Sequence, residues 1–249
     1  MLLELSTWCE VKEYLKTKKE IIIPVGSTEQ HGPMGLMGTD FICPEFIARG
    51  VSDRTKTLVA PTLTIGMSQH HLAFPGSITL RPTTLIAVIK DVIHSLSGHG
   101  FTHLFFLNGH GGNVDSVKTA FSEVYAEHSF SKRPSPVHLH LCNWYGGKRL
   151  KKVQTRYFKT GEGSHATPTE ISLSFYAHPG CVKKADLAPR IAPNHPFRDS
   201  SDFSDKFPDG RIGSDSSLAS AEIGKEICEA AVRDVLNAYE LFLNPNIPV

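Results

Sequence analysis

The sequence predicts an α/β protein, with a mostly parallel sheet covered by helices on both faces. Three observations carry that reading. Short apolar runs bounded by glycine, such as Ile21-Ile22-Ile23-Pro24-Val25 before Gly26, have the length and content of buried strands. Between them lie segments whose apolar residues recur at helical spacing. The two kinds of segment alternate along the chain, and such alternation stacks helices on both sides of a parallel sheet.

Taken in order, residues 6–18 open on Ser and Thr and continue with helical spacing, and residues 21–25 follow as the first strand. From Arg81 a second helix is marked by Leu85, Ile86, Ile89, Val92, Ile93 and Leu96, with Gly98 and Gly100 as its stop. Residues 101–107 are a core strand, and helical spacing resumes after Asn113. The turn at Pro134 and Pro136 leads into a half-buried strand over residues 137–142, where polar and apolar residues alternate. Thr167-Pro168-Thr169-Glu170 opens another helix, and residues 217–243 form a long alanine-rich one. Residues 189–216, rich in Pro, Asp, Ser and Gly, are expected to be a long irregular excursion bordering the site or a subunit contact.

A chain of 249 residues can bury a sizeable core as one domain, residues 1–249, without disulfides. Lys and Arg number 26 against 25 Asp and Glu, so no global field draws the protein to nucleic acid or to an anionic membrane. No apolar run approaches the roughly 18 residues of a membrane span. The N-terminal segment carries acids and no basic stretch before a long apolar one, which sets the cytoplasm as the expected compartment. Five scattered cysteines without a CxxC pair suit reduced thiols. The unusual count is 13 histidines, several beside Gly, Asp or Glu.

Ligands gather where the strands of such sheets end. After the first strand stand Glu29 and His31, two residues apart and on one side of an extended segment. Asp40 follows nine residues after His31, on a loop read as flexible enough to fold back, and a carboxylate there can bridge two ions. After the 101–107 strand, His110 is held among glycines in Asn108-Gly109-His110-Gly111-Gly112-Asn113. Mixed nitrogen and oxygen donors suit zinc, manganese or iron. Plainer readings exist for each: a solvated turn for Glu29 and His31, a phosphate-binding glycine loop at Gly109–Asn113, a capping box for Glu170, and a simple turn lined by His70 and His71. Gly66-Met67-Ser68-Gln69-His70 lacks the last glycine of a nucleophile elbow, and HExxH, GxGxxG and P-loop patterns are absent.

Four stretches in this order, IPVGSTEQHGPMGLMGTD, GMSQHHLAFPGSITL, FFLNGHGGN and GSHATPTEIS, resemble the creatininase family of metal-dependent amidohydrolases. The resemblance covers about residues 20–180 and, more loosely, the C-terminal helix. It implies a three-layer α/β/α fold, a two-metal centre of Zn, Mn or Fe, and commonly a homohexamer. The reaction it implies is hydrolysis of a non-peptide C–N bond in a small linear or cyclic amide through a metal-activated water. It places Glu29, His31, Asp40 and His110 at the positions of metal ligands, with Asp40 as the bridge. His165 takes the place of a proton shuttle, and Glu170 that of a fifth ligand or a general base. Creatininase itself carries a further carboxylate, a Tyr and a Glu where this chain has Gly112, Gly111 and Ser164, and many relatives read HGPHLP where this chain has Met34. These departures argue against creatinine as substrate. A formamide or other cyclic amide on a nucleotide-like precursor is the alternative within enzymes. Outside them, the alternative is a non-catalytic, metal-containing oligomeric protein with a binding or assembly role.

Overall fold

Strand β1 (Glu20–Val25) is apolar on both sides because the sheet around it is covered on both faces. The computed structural model describes residues 1–245. Its sheet has four parallel strands in the order β2 (Leu58–Val59), β1, β3 (His103–Asn108), β4 (His138–Asn143). The register pairs Ile22 with Phe105 and Phe105 with His140.

Period-two alternation then sorts side chains between two cores. Ile22, Val59, Phe105 and Leu107 face one layer, made by α2 (Thr39–Thr55), α5 (Lys148–Tyr157), α6 (Pro168–Ala177) and α8 (Ala221–Leu243). Ile21, Ile23, Val25, Leu104 and Phe106 face the other, made by α1 (Trp8–Thr17), α3 (Pro82–Gly98) and α4 (Asn113–Phe130). The result is the three-layer α/β/α architecture. None of the helices among the described residues is long and apolar enough to cross a membrane.

The first helix starts at Trp8, where Thr7 and Glu10 close a capping box, and the core strand runs two residues later in the chain than its apolar content suggests, from His103. The segment around Asp40 corrects the sequence reading: it is the first turn of α2 and not a flexible loop. Pro44 sits inside that helix and has no N–H to give the Asp40 carbonyl. That carbonyl packs instead against Gly109, where any Cβ would collide with it and with the Pro44 ring. A glycine just past β3 therefore lets the N-terminus of α2 reach the ends of β1 and β3.

The excursion over residues 189–216 also differs from a wholly irregular path. It contains α7 (Ser200–Lys206) and a small apolar cluster of Phe203, Phe207 and Ile212. Arg211 is fully buried within it, and its guanidinium donates to the Asp209 carboxylate and to the Arg190, Ser214 and Pro189 carbonyls. The excursion is thus tied down, and Ser214 Oγ donates to the His165 carbonyl at 2.8 Å, which seats it against the site.

Helix α5 begins at Gly147 with no side-chain cap of its own. Asp234 of α8 supplies one, its Oδ2 accepting from the backbone N–H groups of Arg149 and Leu150 at 2.8 and 2.9 Å. Asp234→Ala is expected to lower stability by about 1–2 kcal/mol in denaturant unfolding while leaving metal content unchanged. Unchanged stability would show that water replaces the cap at no cost.

Candidate metal centre

Each carboxylate and imidazole singled out at the strand ends arrives from a different element. Glu29 and His31 follow β1, Asp40 opens α2, His110 follows β3, and Glu170 lies in the first turn of α6. Glu29 and His31 are fully buried, Asp40 is 4% and His110 5% exposed. Three sets emerge, one of Glu29, His31 and His165 and two that meet at one residue, Glu29 with Asp40 and His110 and His31 with Asp40 and Glu170, and within each set the donor atoms lie within 4.8 Å of one another. Asp40 belongs to both of the latter two, as a bridging carboxylate must. Its Oδ1 is 3.1 Å from His31 Nε2, and its Oδ2 is 2.9 Å from His110 Nδ1.

The orientation of both histidines suits ligation. His31 Nδ1 donates to the Glu29 carbonyl at 3.1 Å, which leaves Nε2 facing Asp40. His110 Nε2 donates to the Met67 carbonyl at 2.9 Å and turns Nδ1 inward. A backbone carbonyl behind each ring fixes its tautomer and aims its lone pair.

A test of fit comes from the carboxylates. Both Glu29 oxygens and Asp40 Oδ2 are buried with no hydrogen-bond partner. Orphaned buried acceptors are costly, and three in one place call for a cation. Hard and borderline divalent ions match this set of carboxylate oxygens and imidazole nitrogens.

Charge is already shared among these groups. Burial pushes the Glu29 carboxyl up, but His110 and His71 outweigh it and hold it down at about 2. Burial works against charged imidazole at His31 and His110, yet Asp40 and Glu29 raise them to about 10 and about 9. Glu170 goes the other way, lifted to about 7 chiefly by burial, with Asp40 adding to it and His31 opposing. Its Oε1 also accepts from Thr167 N at 2.6 Å, so the capping box expected from sequence is real and coexists with a position 4.0 Å from His31 Nε2.

His165 lies nearby, its ring 4.6 Å from that of His31 and its Nδ1 3.8 Å from Glu29 Oε1. Burial, followed by His71 and His31, pulls it well below the usual imidazole range. The neutral imidazole is therefore the favoured form. For His71 a simple turn was the plainer of the readings, and the structure places it at the site instead. It is 1% exposed, with Nε2 3.3 Å from Glu29 Oε1. Its partner His70 does border a turn, stacked on Phe197 at 5.1 Å. The centre opens into a cavity of about 440 Å³ whose walls include Trp144, Tyr145, Lys151, Glu162 and Phe197.

The sequence profile described as creatinine amidohydrolase matches residues 4–239. The chain belongs to the creatininase family. Among curated relatives it is 33% identical over 166 residues to a 3-dehydro-scyllo-inosose hydrolase of Thermotoga maritima, covering 65% of this chain and 49% of that one. Over 113 residues it is 32% identical to the creatinine amidohydrolase of Pseudomonas putida, covering 42% and 44%. It is 33% identical over 120 residues to a mycofactocin precursor peptide peptidase of Mycobacterium ulcerans, covering 45% and 48%. The chain thus spans about half the length of the curated relatives it matches. A crystal structure of creatinine amidohydrolase (creatininase) superposes with TM-score 0.84 at 24% identity, covering 98% of both chains. Other solved creatininases include a Zn–Zn form of a Glu-to-Gln mutant, TM-score 0.86 at 24% identity over 98% of both chains, and a Mn form, TM-score 0.80 at 24% over 98% and 99%.

If Asp40 bridges, Asp40→Ala should empty both sites, read as loss of bound Zn²⁺ or Mn²⁺ by elemental analysis, and full occupancy would refute the bridge. Loading is also expected to depend on pH. An incoming cation must displace the protons that His31 and His110 hold up to about 10 and about 9, so apparent affinity rises with pH across the neutral range. Calorimetry in buffers of different ionisation enthalpy should record proton release on adding Zn²⁺ at pH 7, and zero release would contradict the charge assignment.

Proposed function

We propose that this chain is a metal-dependent hydrolase that cleaves a C–N bond in a small linear or cyclic amide. The observation that carries the reading is the pair of donor sets sharing Asp40, with three carboxylate oxygens left unpaired between them. Glu29, Asp40 and His110 would hold one divalent ion, and His31, Asp40 and Glu170 a second, zinc and manganese being the expected occupants. When bound, such ions supply a nucleophilic water at neutral pH and polarise the amide carbonyl.

The chain's own groups handle protons and position. His165, neutral and facing the centre, accepts a proton at Nδ1 and returns it to the departing nitrogen. Tyr145 is pushed up to about 12 by burial, then by Asp40 and Glu170, so its hydroxyl stays protonated and can donate to the carbonyl oxygen as charge develops there. At the cavity wall, Glu162 Oε2, Thr169 Oγ1 and Trp144 Nε1 are buried without partners, while Gln154 Nε2 donates to Glu162 Oε1 at 3.2 Å. A substrate with a hydrogen-bond donor remote from its scissile bond would satisfy Glu162. That arrangement supports an enzyme over a non-catalytic assembly protein. We place the chain as one functional domain, as its length suggests, and as part of a homohexamer on the family resemblance.

The test is a panel of formamides, lactams and creatinine assayed with the Zn²⁺- and Mn²⁺-loaded protein. Creatinine is expected not to lead, and its emergence as best substrate by kcat/KM would overturn the specificity reading. His165→Ala should cost about 10²–10⁴-fold in turnover of the best substrate and leave metal content unchanged. Loss of one ion equivalent in that variant would make His165 a ligand.

A further inference from the structure

Gln30 stands between Glu29 and His31 in the chain, yet its side chain reaches His71 and His165 from the side away from Glu29. It is 6% exposed. Two backbone groups tell the ends of its amide apart. Oε1 accepts from Gly32 N–H at 2.8 Å, and Nε2 donates to the Gly210 carbonyl at 2.9 Å. One amide hydrogen is left, with two ring nitrogens in reach, His71 Nδ1 at 2.8 Å and His165 Nε2 at 3.0 Å.

His165 Nε2 also lies 2.8 Å from the backbone carbonyl of Gln30, a group that only accepts. That nitrogen therefore carries a hydrogen and donates it there. The free amide hydrogen then goes to His71 Nδ1, which accepts. A neutral imidazole has one N–H, so both rings hold it on Nε2. Because the rings face opposite ways, the same tautomer has opposite effects. His71 presents Nε2–H to Glu29 Oε1 at 3.3 Å, and His165 presents the bare Nδ1 on the same side.

We infer that Gln30 is a positioning residue that turns the His71 N–H toward Glu29 through its side-chain amide and makes His165 a proton acceptor through its main-chain carbonyl. The use of His165 as acceptor rests on the proposed hydrolysis, whereas the tautomers do not. The division between side chain and main chain yields a selective test. Gln30→Glu removes the amide hydrogens and puts an acceptor beside His71 Nδ1, so His71 switches to the Nδ1–H form. His165, held by a backbone carbonyl that no substitution removes, keeps Nε2–H.

The experiment is ¹⁵N spectroscopy of the full chain labelled at histidine, with His71→Gln and His165→Gln variants to assign the two rings. In the metal-free wild type both rings are expected as Nε2–H, and in Gln30→Glu only His71 is expected to change. Gln30→Met fills similar space without a donor and covers a failure of the Glu variant to fold. It should leave His71 Nδ1 bare and without a hydrogen bond, read as a downfield shift of that ¹⁵N signal. Zn²⁺ competition against a chelating dye gives the second readout, with affinity expected to fall about 10–100-fold in Gln30→Glu as the His71 N–H turns away from Glu29. A His71 that stays Nε2–H in Gln30→Glu, a His71 Nδ1 signal unmoved in Gln30→Met, or wild-type His165 found as Nδ1–H would overturn the inference. A protein that passes the spectroscopic arm but hydrolyses no amide would sink the proposed function and leave the positioning role standing.

Discussion

Two carboxylates, Glu29 and Asp40, are held beyond the reach of water at the C-terminal end of the sheet, and the remainder of the site follows from the need to compensate them. An unpaired buried charge is tolerated only where opposite charge or donors surround it. Here the compensation comes from several elements: His31 beyond β1, His110 beyond β3, and His71 from the turn that precedes α3. Even so, three carboxylate oxygens remain without hydrogen bonds. The polypeptide has gathered more buried acceptors than it supplies with donors, as expected of a site shaped for cations.

Delivering these groups to one point requires that backbones approach closely, and this explains features that look unhelpful locally. Pro44 interrupts the hydrogen bonding of α2, and Gly109 gives up a side chain next to β3. Together they let the first turn of α2 press against the strand ends, so that Asp40 faces His31 on one side and His110 on the other. The buried Arg211 plays a comparable part at the far wall, where it converts a loop poor in regular structure into a fixed support for His165.

The layers, the longer parallel strands and the long helices other than α2 were legible because they rest on periodicity, which is local, whereas α2 carries Pro44 and opens at Asp40 in a stretch that reads as a loop. Strand β2 and helix α5 were not legible either, since β2 is only two residues long and α5 draws its cap from Asp234, far away in sequence. The same divide runs through the site. Glu29, His31, Asp40 and His110 stand out as donors just past strands or beside glycines, and the structure does bring them together with Glu170. His71 did not stand out, because its role exists only through contacts with Glu29 and Gln30 across some 40 residues of chain. The doublet His70-His71 before Phe74-Pro75-Gly76 was the available signal. Gln30 is silent in sequence for a related reason: nothing about a glutamine predicts which of its atoms will meet a carbonyl and which a ring nitrogen.

The departures from creatininase at Gly111 and Gly112 acquire a physical sense in this fold. A Cβ at residue 112 would collide with His110 Nε2 and the Met67 carbonyl, the pair that fixes the His110 tautomer. A carboxylate at that position would therefore require this chain to rearrange the support of one of its own candidate ligands. Glu170 offers a carboxylate from the opposite layer at no such cost, anchored by its capping box. At Gly111 the situation is reversed, because the nearest atom to a Cβ there is the Tyr145 hydroxyl, 4.0 Å away. The space beside His110 is left to a phenol arriving from the end of β4. Changing two residues next to a ligand thus moves a carboxylate and a hydroxyl to other elements while preserving the donor types. A carboxylate and a hydroxyl reach the cavity from the first turn of α6 and from the end of β4.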